Sequence, residues 1–268
     1  MQCNLDVTGG TYHLILLGDF LKRVVMKKMR LGISCRGVLC FLLGFLPLLG
    51  QAEQLVASSD YSTMLENKLK MLLDQHAATS SDSWVLVRFA DLYLDLGDEA
   101  YSEGLKRRAA YEEGARIARR AINLGESNAQ AHYLYAANLG SAVQLEGVMA
   151  SALTVSELKA HVRRALELKH DYAPALHMMG MMLEELPWFL GGDREGALSY
   201  LKRAVAADPG YAHARLDLAK AHIKRRESDA ARRELAVILQ GSLPSESSDS
   251  DRRHRDEAST LLNSLGSR

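Results

Sequence analysis

Apolar and small residues recur along the chain in four copies of one pattern. In the first half of each copy a large residue precedes Ala or Gly, and another large residue follows three positions later, which is a helical spacing. These residues are Phe89-Ala90 with Tyr93, Tyr135-Ala136 with Leu139, Met179-Gly180 with Leu183, and Leu218-Ala219 with His222. The second halves repeat Ala and large apolar residues at similar spacing. The pattern therefore predicts an all-α chain of helix pairs.

The copies begin 46, 44 and 39 residues apart, so extra residues are inserted within the pairs. We expect a long second helix over Glu99–Leu124 in the first copy. In the second copy we expect a connector over Glu146–Leu153 and a helix that starts at a capping box on Thr154. In the third copy, Pro187 should end one helix and Asp193 should cap the next.

One helix pair cannot bury its apolar face alone, so the copies should stack into a solenoid of about four repeats over residues 83–245. Amphipathic segments flank them. We expect an N-terminal cap helix within 53–82, centred on Tyr61–Ala77, and a C-terminal cap helix within 246–268. Both would cover the otherwise exposed ends of the solenoid.

Residues 1–52 form a basic leader with the features of an export signal. The apolar run Val38–Leu49 has 12 residues, fewer than the roughly 20 that a membrane span needs. We expect cleavage after Ala52 and a periplasmic mature protein, with an uncleaved membrane anchor as the alternative. The length of the leader suggests that translation starts at Met26 or Met29. All three cysteines lie in this leader: Cys3, Cys35 and Cys40.

The repeat pattern resembles the tetratricopeptide (TPR) family, whose unit is a helix–turn–helix of about 34 residues. The order of the insertions, with Leu186-Pro187 and Gly191-Gly192-Asp193 before Ala197, Leu201 and Ala204, is similar to two TPR families. One is the T component of TRAP (tripartite, periplasmic-binding-protein-dependent) transporters, and the other is the bacterial relatives of regulator-of-microtubule-dynamics proteins. The resemblance implies a solenoid that binds a partner along its concave groove. T components are typically lipoproteins, and no lipobox is found here.

Composition and motifs give little support for an enzyme. The net charge is zero, which favours no nucleic-acid partner. The sequence has no nucleophile elbow, phosphate loop or paired metal-ligand motif, so we expect no catalytic, cofactor or metal site. We interpret the histidines as scattered surface or seam residues: His132, His161, His170, His177, His213 and His222.

The first helix of each pair should line the groove. Helical phase taken from the small residues places a mixed set of side chains there: Asp91, Tyr133, Ala137, His177, Met181, Glu184 and Lys220. Trp188 and Phe189 lie in the loop after the methionine-rich helix and join the candidate binding residues. The methionines of that helix, Met178, Met179, Met181 and Met182, are either core filler or an adaptable binding surface.

The sequence therefore predicts an exported, non-enzymatic adaptor that binds a protein or peptide in its groove. The alternative is an accessory component of a TRAP-type transporter that handles a small organic or lipid-like ligand. Membrane association is expected only through an uncleaved leader.

Overall fold

The computed structural model of the protein describes residues 61–241 and 249–266, with the backbone alone at 148–152 and 249–250. The predictions for the leader at 1–52 lie outside the described residues. Within the described ranges the chain is helical and forms no strand. None of the helices in those ranges is long and apolar enough to cross a membrane.

Ten α-helices make up this part of the chain. Their bounds are α1 61–74, α2 Ser83–Asp95, α3 Gly104–Leu124, α4 Ala129–Glu146, α5 Val148–Leu168, α6 Ala173–Glu185, α7 Arg194–Ala207, α8 Ala212–Lys224, α9 Ser228–Gln240 and α10 Asp249–Gly266. Consecutive helices pack against each other from α2 to α10. The first helices of successive pairs, α2, α4, α6 and α8, also contact one another. This arrangement is the predicted helix–turn–helix solenoid of four repeats.

The small residues of the pattern lie where paired helices approach most closely. Ala90, Ala136 and Ala219 are completely buried. A Cβ atom on Gly180 would lie 2.9 Å from Leu201 Cγ on the partner helix α7. The close approach of α6 and α7 therefore requires a residue without a side chain at this position.

The second helix of the first repeat starts later than predicted. The expected helix Glu99–Leu124 begins at Gly104, because a wide π-helical turn occupies Leu96–Ala100. The ring of Tyr111 packs against Gly97 so closely that a Cβ atom there would lie 2.2 Å from the ring. This contact holds the wide turn against α3.

The second helix of the second repeat starts earlier than predicted. The expected connector over Glu146–Leu153 is mostly helical, since α5 begins at Val148 and Thr154 lies inside it. Gly147, with φ 115°, is the one residue between α4 and α5. The next six residues include no Gly or Pro, so nothing delays the start of the helix.

The segment between α6 and α7 follows the prediction. α6 ends before Pro187, and Trp188–Leu190 form a single 3₁₀ turn. Asp193 caps α7 by accepting hydrogen bonds from the backbone N–H groups of Glu195 and Gly196. The turn is also fixed to the second repeat, because Lys159 Nζ donates to the carbonyl oxygen of Gly191 at 2.6 Å.

The last helix, α10, covers the end of the fourth repeat. Its buried residues Ala258 and Leu265 pack against α8 and α9. Near its start, Arg253 lies 3.7 Å from Glu99 in the wide turn of the first repeat. α10 therefore contacts both the last repeat and the first.

Candidate binding surface on the first helices of the repeats

A continuous set of aromatic and charged side chains runs along the first helices of the repeats. We call it the inner face. Its members contact or electrostatically influence one another across successive repeats: Asp91 on α2, Tyr133 on α4, Tyr172 and His177 at α6, and Tyr211, His213, Asp217 and Lys220 at α8.

Two tyrosines hold equivalent places at the starts of α6 and α8. The ring of Tyr172 meets that of Tyr133 edge-on, with centroids 5.4 Å apart. The ring of Tyr211 meets that of His177 edge-on at 5.3 Å. Each tyrosine therefore bridges its own repeat to a neighbouring first helix, and an aromatic surface extends across three repeats.

Asp217 is the centre of a cluster between the third and fourth repeats. His177 Nε2 lies 2.8 Å from Asp217 Oδ2, and His213 Nε2 lies 3.5 Å from the same oxygen. Burial alone would raise the pKa of Asp217, but the hydrogen bond from His177 and the nearby positive groups outweigh it and lower that pKa. Burial is also the main cause that lowers the pKa of His213 to about 4.

The N-terminal half of α10 lies against this cluster. The ring of His254 stacks on that of His213, with centroids 4.4 Å apart. Lys220 Nζ lies 2.9 Å from Glu257 Oε1 and 3.4 Å from Asp217 Oδ1. The fourth-repeat end of the inner face is therefore partly covered by α10.

The first-repeat end of the inner face is acidic. Burial raises the pKa of Asp91, and it raises the pKa of Asp95 to about 7, with the charge of Asp91 adding to the effect. The pKa of Asp98 is raised mainly by burial as well. The positive charge of Lys68 on α1 lowers the pKa of both Asp91 and Asp95 and so opposes the effect of burial. A positively charged group placed beside these carboxylates would therefore stabilise their ionised forms.

The predicted groove residues occupy four kinds of position. Asp91, Tyr133, His177 and Lys220 belong to the inner face. Met181 is half-buried and packs against the apolar cluster that joins α6, α7 and α8.

Glu184 is buried and forms ion pairs with Arg225 at 3.1 Å and Lys224 at 3.5 Å. The rings of Trp188 and Phe189 contact each other in the turn before α7 and are 84% and 67% exposed.

The interpretation of the histidines as scattered is wrong for His177 and His213, which meet at Asp217. The four-residue spacing of His213 and Asp217 places both side chains on one face of α8, so this part of the cluster could be predicted from the sequence. The contact between His177 and Asp217 could not be predicted, because the two residues are 40 positions apart and lie in different repeats. His132 and His161 also lie together, with their Nδ1 atoms 2.9 Å apart.

Comparison with known proteins identifies the family. Residues 48–185, just over half of the chain, match the family model described as regulator of microtubule dynamics protein 1-3. The chain belongs to this family. Residues 189–241, from the second helix of the third repeat to the end of the fourth, match a tetratricopeptide repeat model, which confirms the TPR assignment.

Members of the regulator of microtubule dynamics family from cattle resemble the chain. It is 28% identical to regulator of microtubule dynamics protein 1 over 192 residues, which are 65% of this chain and 60% of the relative. It is 27% identical to protein 3 over 184 residues, which are 63% of this chain and 38% of that relative. The chain thus spans at most about three fifths of these relatives.

A solved structure supports the fold. The thermophilic TPR protein TTC0263 of Thermus thermophilus superposes with a TM-score of 0.53 at 20% sequence identity, covering 82% of this chain and 98% of that chain. This likeness concerns the solenoid architecture alone.

Proposed function

We propose that the protein is an exported, non-enzymatic TPR adaptor that binds an extended segment of a partner protein along its inner face. The observation that carries this proposal is the pair of edge-on ring contacts between successive repeats, Tyr133 with Tyr172 and His177 with Tyr211. Tyrosine rings offer apolar area with a hydrogen-bonding hydroxyl at low entropic cost, which suits recognition of a peptide.

The charge of the inner face specifies the partner further. Its first-repeat end carries Asp91, with Asp95 four residues further along the same helix, and burial raises the pKa of both. A Lys or Arg side chain from a partner would favour the ionised forms of these carboxylates. The preferred partner segment therefore combines basic residues with apolar ones that pack on the tyrosine rings.

Site-specific photo-crosslinking in the native host tests the binding surface. A photoreactive phenylalanine analogue at Tyr172 should give one discrete adduct. The same analogue at Lys202, an exposed residue of the second helix α7, is the matched control and should give little. Asp91→Asn combined with Asp95→Asn should weaken the Tyr172 adduct. Equal adducts from Tyr172 and Lys202 would contradict binding at the inner face.

The identity of the adduct separates the alternatives. A protein of the cell envelope agrees with the exported adaptor. A co-purifying small organic or lipid-like molecule, detected by mass spectrometry, favours the transporter-accessory alternative. An adduct with tubulin would connect the chain to the name of its mammalian relatives and contradict export. Robust hydrolase or transferase turnover by the purified protein would contradict an adaptor of either kind.

Export is tested separately. We expect the protein in the periplasmic fraction with an N-terminus at Glu53, read by N-terminal sequencing. A mature chain that retains residues 38–49 would instead support the membrane anchor.

A further inference from the structure

Two histidines and one aspartate converge on one point between the third and fourth repeats. His177 Nε2 and His213 Nε2 approach the same carboxylate oxygen, Oδ2 of Asp217, at 2.8 and 3.5 Å. One ligand atom from each of the three side chains lies within 4.8 Å of the other two. α6 supplies His177 and α8 supplies the other two residues, so the solenoid packing itself assembles the cluster.

We propose that His177, His213 and Asp217 form a binding site for a divalent transition-metal ion such as Zn²⁺. Imidazole nitrogen and carboxylate oxygen are ligands that this class of ion prefers. Tetrahedral bonds of about 2.0–2.1 Å place ligand atoms about 3.3 Å apart. The two distances to Asp217 Oδ2 lie on either side of that value, and the two histidine nitrogens lie within 4.8 Å of each other. Binding of an ion therefore requires both imidazole rings to shift.

The groups around the cluster match those that surround metal ligands in proteins. The hydroxyl of Tyr211 lies 3.3 Å from His177 Nδ1, and its oxygen can accept a hydrogen bond from Nδ1–H while Nε2 faces the ion. Lys220 contacts the other oxygen of Asp217, Oδ1, but its charge is shared with Glu257. Asp217 and Glu257 together carry one more unit of charge than Lys220 neutralises.

A His–Asp pair can also be a purely structural contact between helices, and His213 distinguishes the two possibilities. His177 is buried and already hydrogen-bonded to Asp217, so it would serve either role. The side chain of His213 is 48% exposed, yet it is directed at the same oxygen and is held there by stacking with His254. A half-exposed imidazole beside the buried pair leaves the site accessible to an ion.

The site does not depend on the proposed adaptor function, because its ligands come from two helices that pack in the free protein. An ion there would tie α6 to α8 and stiffen the junction of the third and fourth repeats. Failure to find a crosslinked partner would therefore contradict the adaptor function only, and failure to bind a metal ion would contradict the metal site only.

The test is a titration of the full-length, tag-free protein with Co²⁺, followed by displacement with Zn²⁺. The parent for all measurements carries Cys3→Ser, Cys35→Ser and Cys40→Ser, so that leader thiols cannot bind the ion. After treatment with a chelator, we expect one Co²⁺ per chain with visible d–d absorption. Zn²⁺ should abolish the absorption and raise the melting temperature.

Variants locate the site. His213→Ala, at a half-exposed position, and Asp217→Asn should each weaken Co²⁺ binding by roughly tenfold or more. His170→Ala removes an exposed histidine elsewhere, and His161→Ala removes one of the other histidine pair; both should leave the affinity unchanged. Circular dichroism verifies that each variant is folded. The proposal is overturned if the parent binds no Co²⁺, or if His213→Ala binds it as tightly as the parent.

Discussion

Met179 and Met181 are two residues apart on α6 and differ in burial. Met179 is 3% exposed and lies in the cluster that joins α6 to Val162 and Ala165 of α5. Met181 is half-buried and packs beside Leu176 and Leu201. A rotation of roughly 200° around the helix separates the two side chains. The side chains of Met179 and Met181 therefore pack against two different apolar clusters.

Substitution of each methionine should give different losses of stability. Met179→Ala leaves a cavity in a closed cluster and should lower the free energy of unfolding by about 2–5 kcal/mol. Met181→Ala removes a side chain that is partly in solvent and should lower it clearly less. Chemical denaturation of the two variants side by side measures both. Equal losses would show that Met181 is an ordinary core residue.

Asp95 gives the protein a pH-dependent stability term. Its pKa of about 7 in the folded protein lies above its ordinary value of 3.8, mainly because of burial. Between these values the folded state holds a proton that the unfolded state releases, so the contribution of Asp95 to stability falls as the pH rises through this window.

Asp95→Asn removes that term. The variant should gain stability relative to the parent as the pH rises from about 4 to about 7, and the difference should then level off. Urea unfolding at several pH values measures this. Asp171→Asn, at an exposed aspartate, is the matched control. A difference between Asp95→Asn and the parent that is constant with pH would contradict the assigned burial of Asp95.

Single residues also show what the sequence could predict. The repeating sequence pattern alone predicts the small residues at helix–helix contacts, because local spacing determines which residues of two paired helices face each other. These residues are Ala90, Ala136, Gly180 and Ala219. The cluster at Asp217 was missed because His177 reaches it from a different repeat, and the angle between repeats is not encoded by spacing within either helix.

At the scale of elements, the first helices were predicted well and the second helices less well. α2, α4, α6 and α8 each carry the large–small pattern. The starts of α3 and α5 depend on tertiary contacts or on the lack of a breaker. Tyr111 holds the wide turn before α3: its hydroxyl donates to Asp98 Oδ1 at 2.7 Å, and its ring packs on Gly97. A local helix pattern does not reveal such a contact.

Two glycines near the start of α3 allow a matched test of that turn. Gly97→Ala would place Cβ 2.2 Å from the Tyr111 ring and should lower the free energy of unfolding by about 1–3 kcal/mol. Gly104→Ala meets no atom within 4 Å and should be neutral or slightly stabilising. Thermal and chemical unfolding compare the two. In a Tyr111→Leu background the cost of Gly97→Ala should shrink, and an unchanged cost would mean that the ring is not its cause.

For the whole molecule, α10 has two contacts of very different strength. Its apolar side, with Ala258 and Leu265, packs into the cluster formed by Leu216, Ala219 and Leu235 of the fourth repeat. Its contact with the first repeat includes the ion pair between Arg253 and Glu99, which is long at 3.7 Å and in which Arg253 is 61% exposed and Glu99 8% exposed. An ion pair with one solvent-exposed partner is weakened by water and salt, and exposed pairs contribute roughly 0–1 kcal/mol, so the apolar contact should dominate.

Disruption of the apolar contact should therefore destabilise one end of the solenoid. Ala258→Asp places a carboxylate in a fully buried position of the α10 contact and should detach the helix. Since repeats interact mainly with their neighbours, α8 and α9 should lose protection first, and α2 to α5 should keep theirs.

Hydrogen exchange followed by mass spectrometry measures the protection of each helix along the chain. Ser259→Asp, at the exposed neighbouring position, is the matched control and should leave the exchange pattern unchanged. An equal loss of protection in all four repeats would contradict the local effect. It would mean that the contact of α10 with the first repeat, despite its exposed ion pair, holds the two ends of the solenoid together.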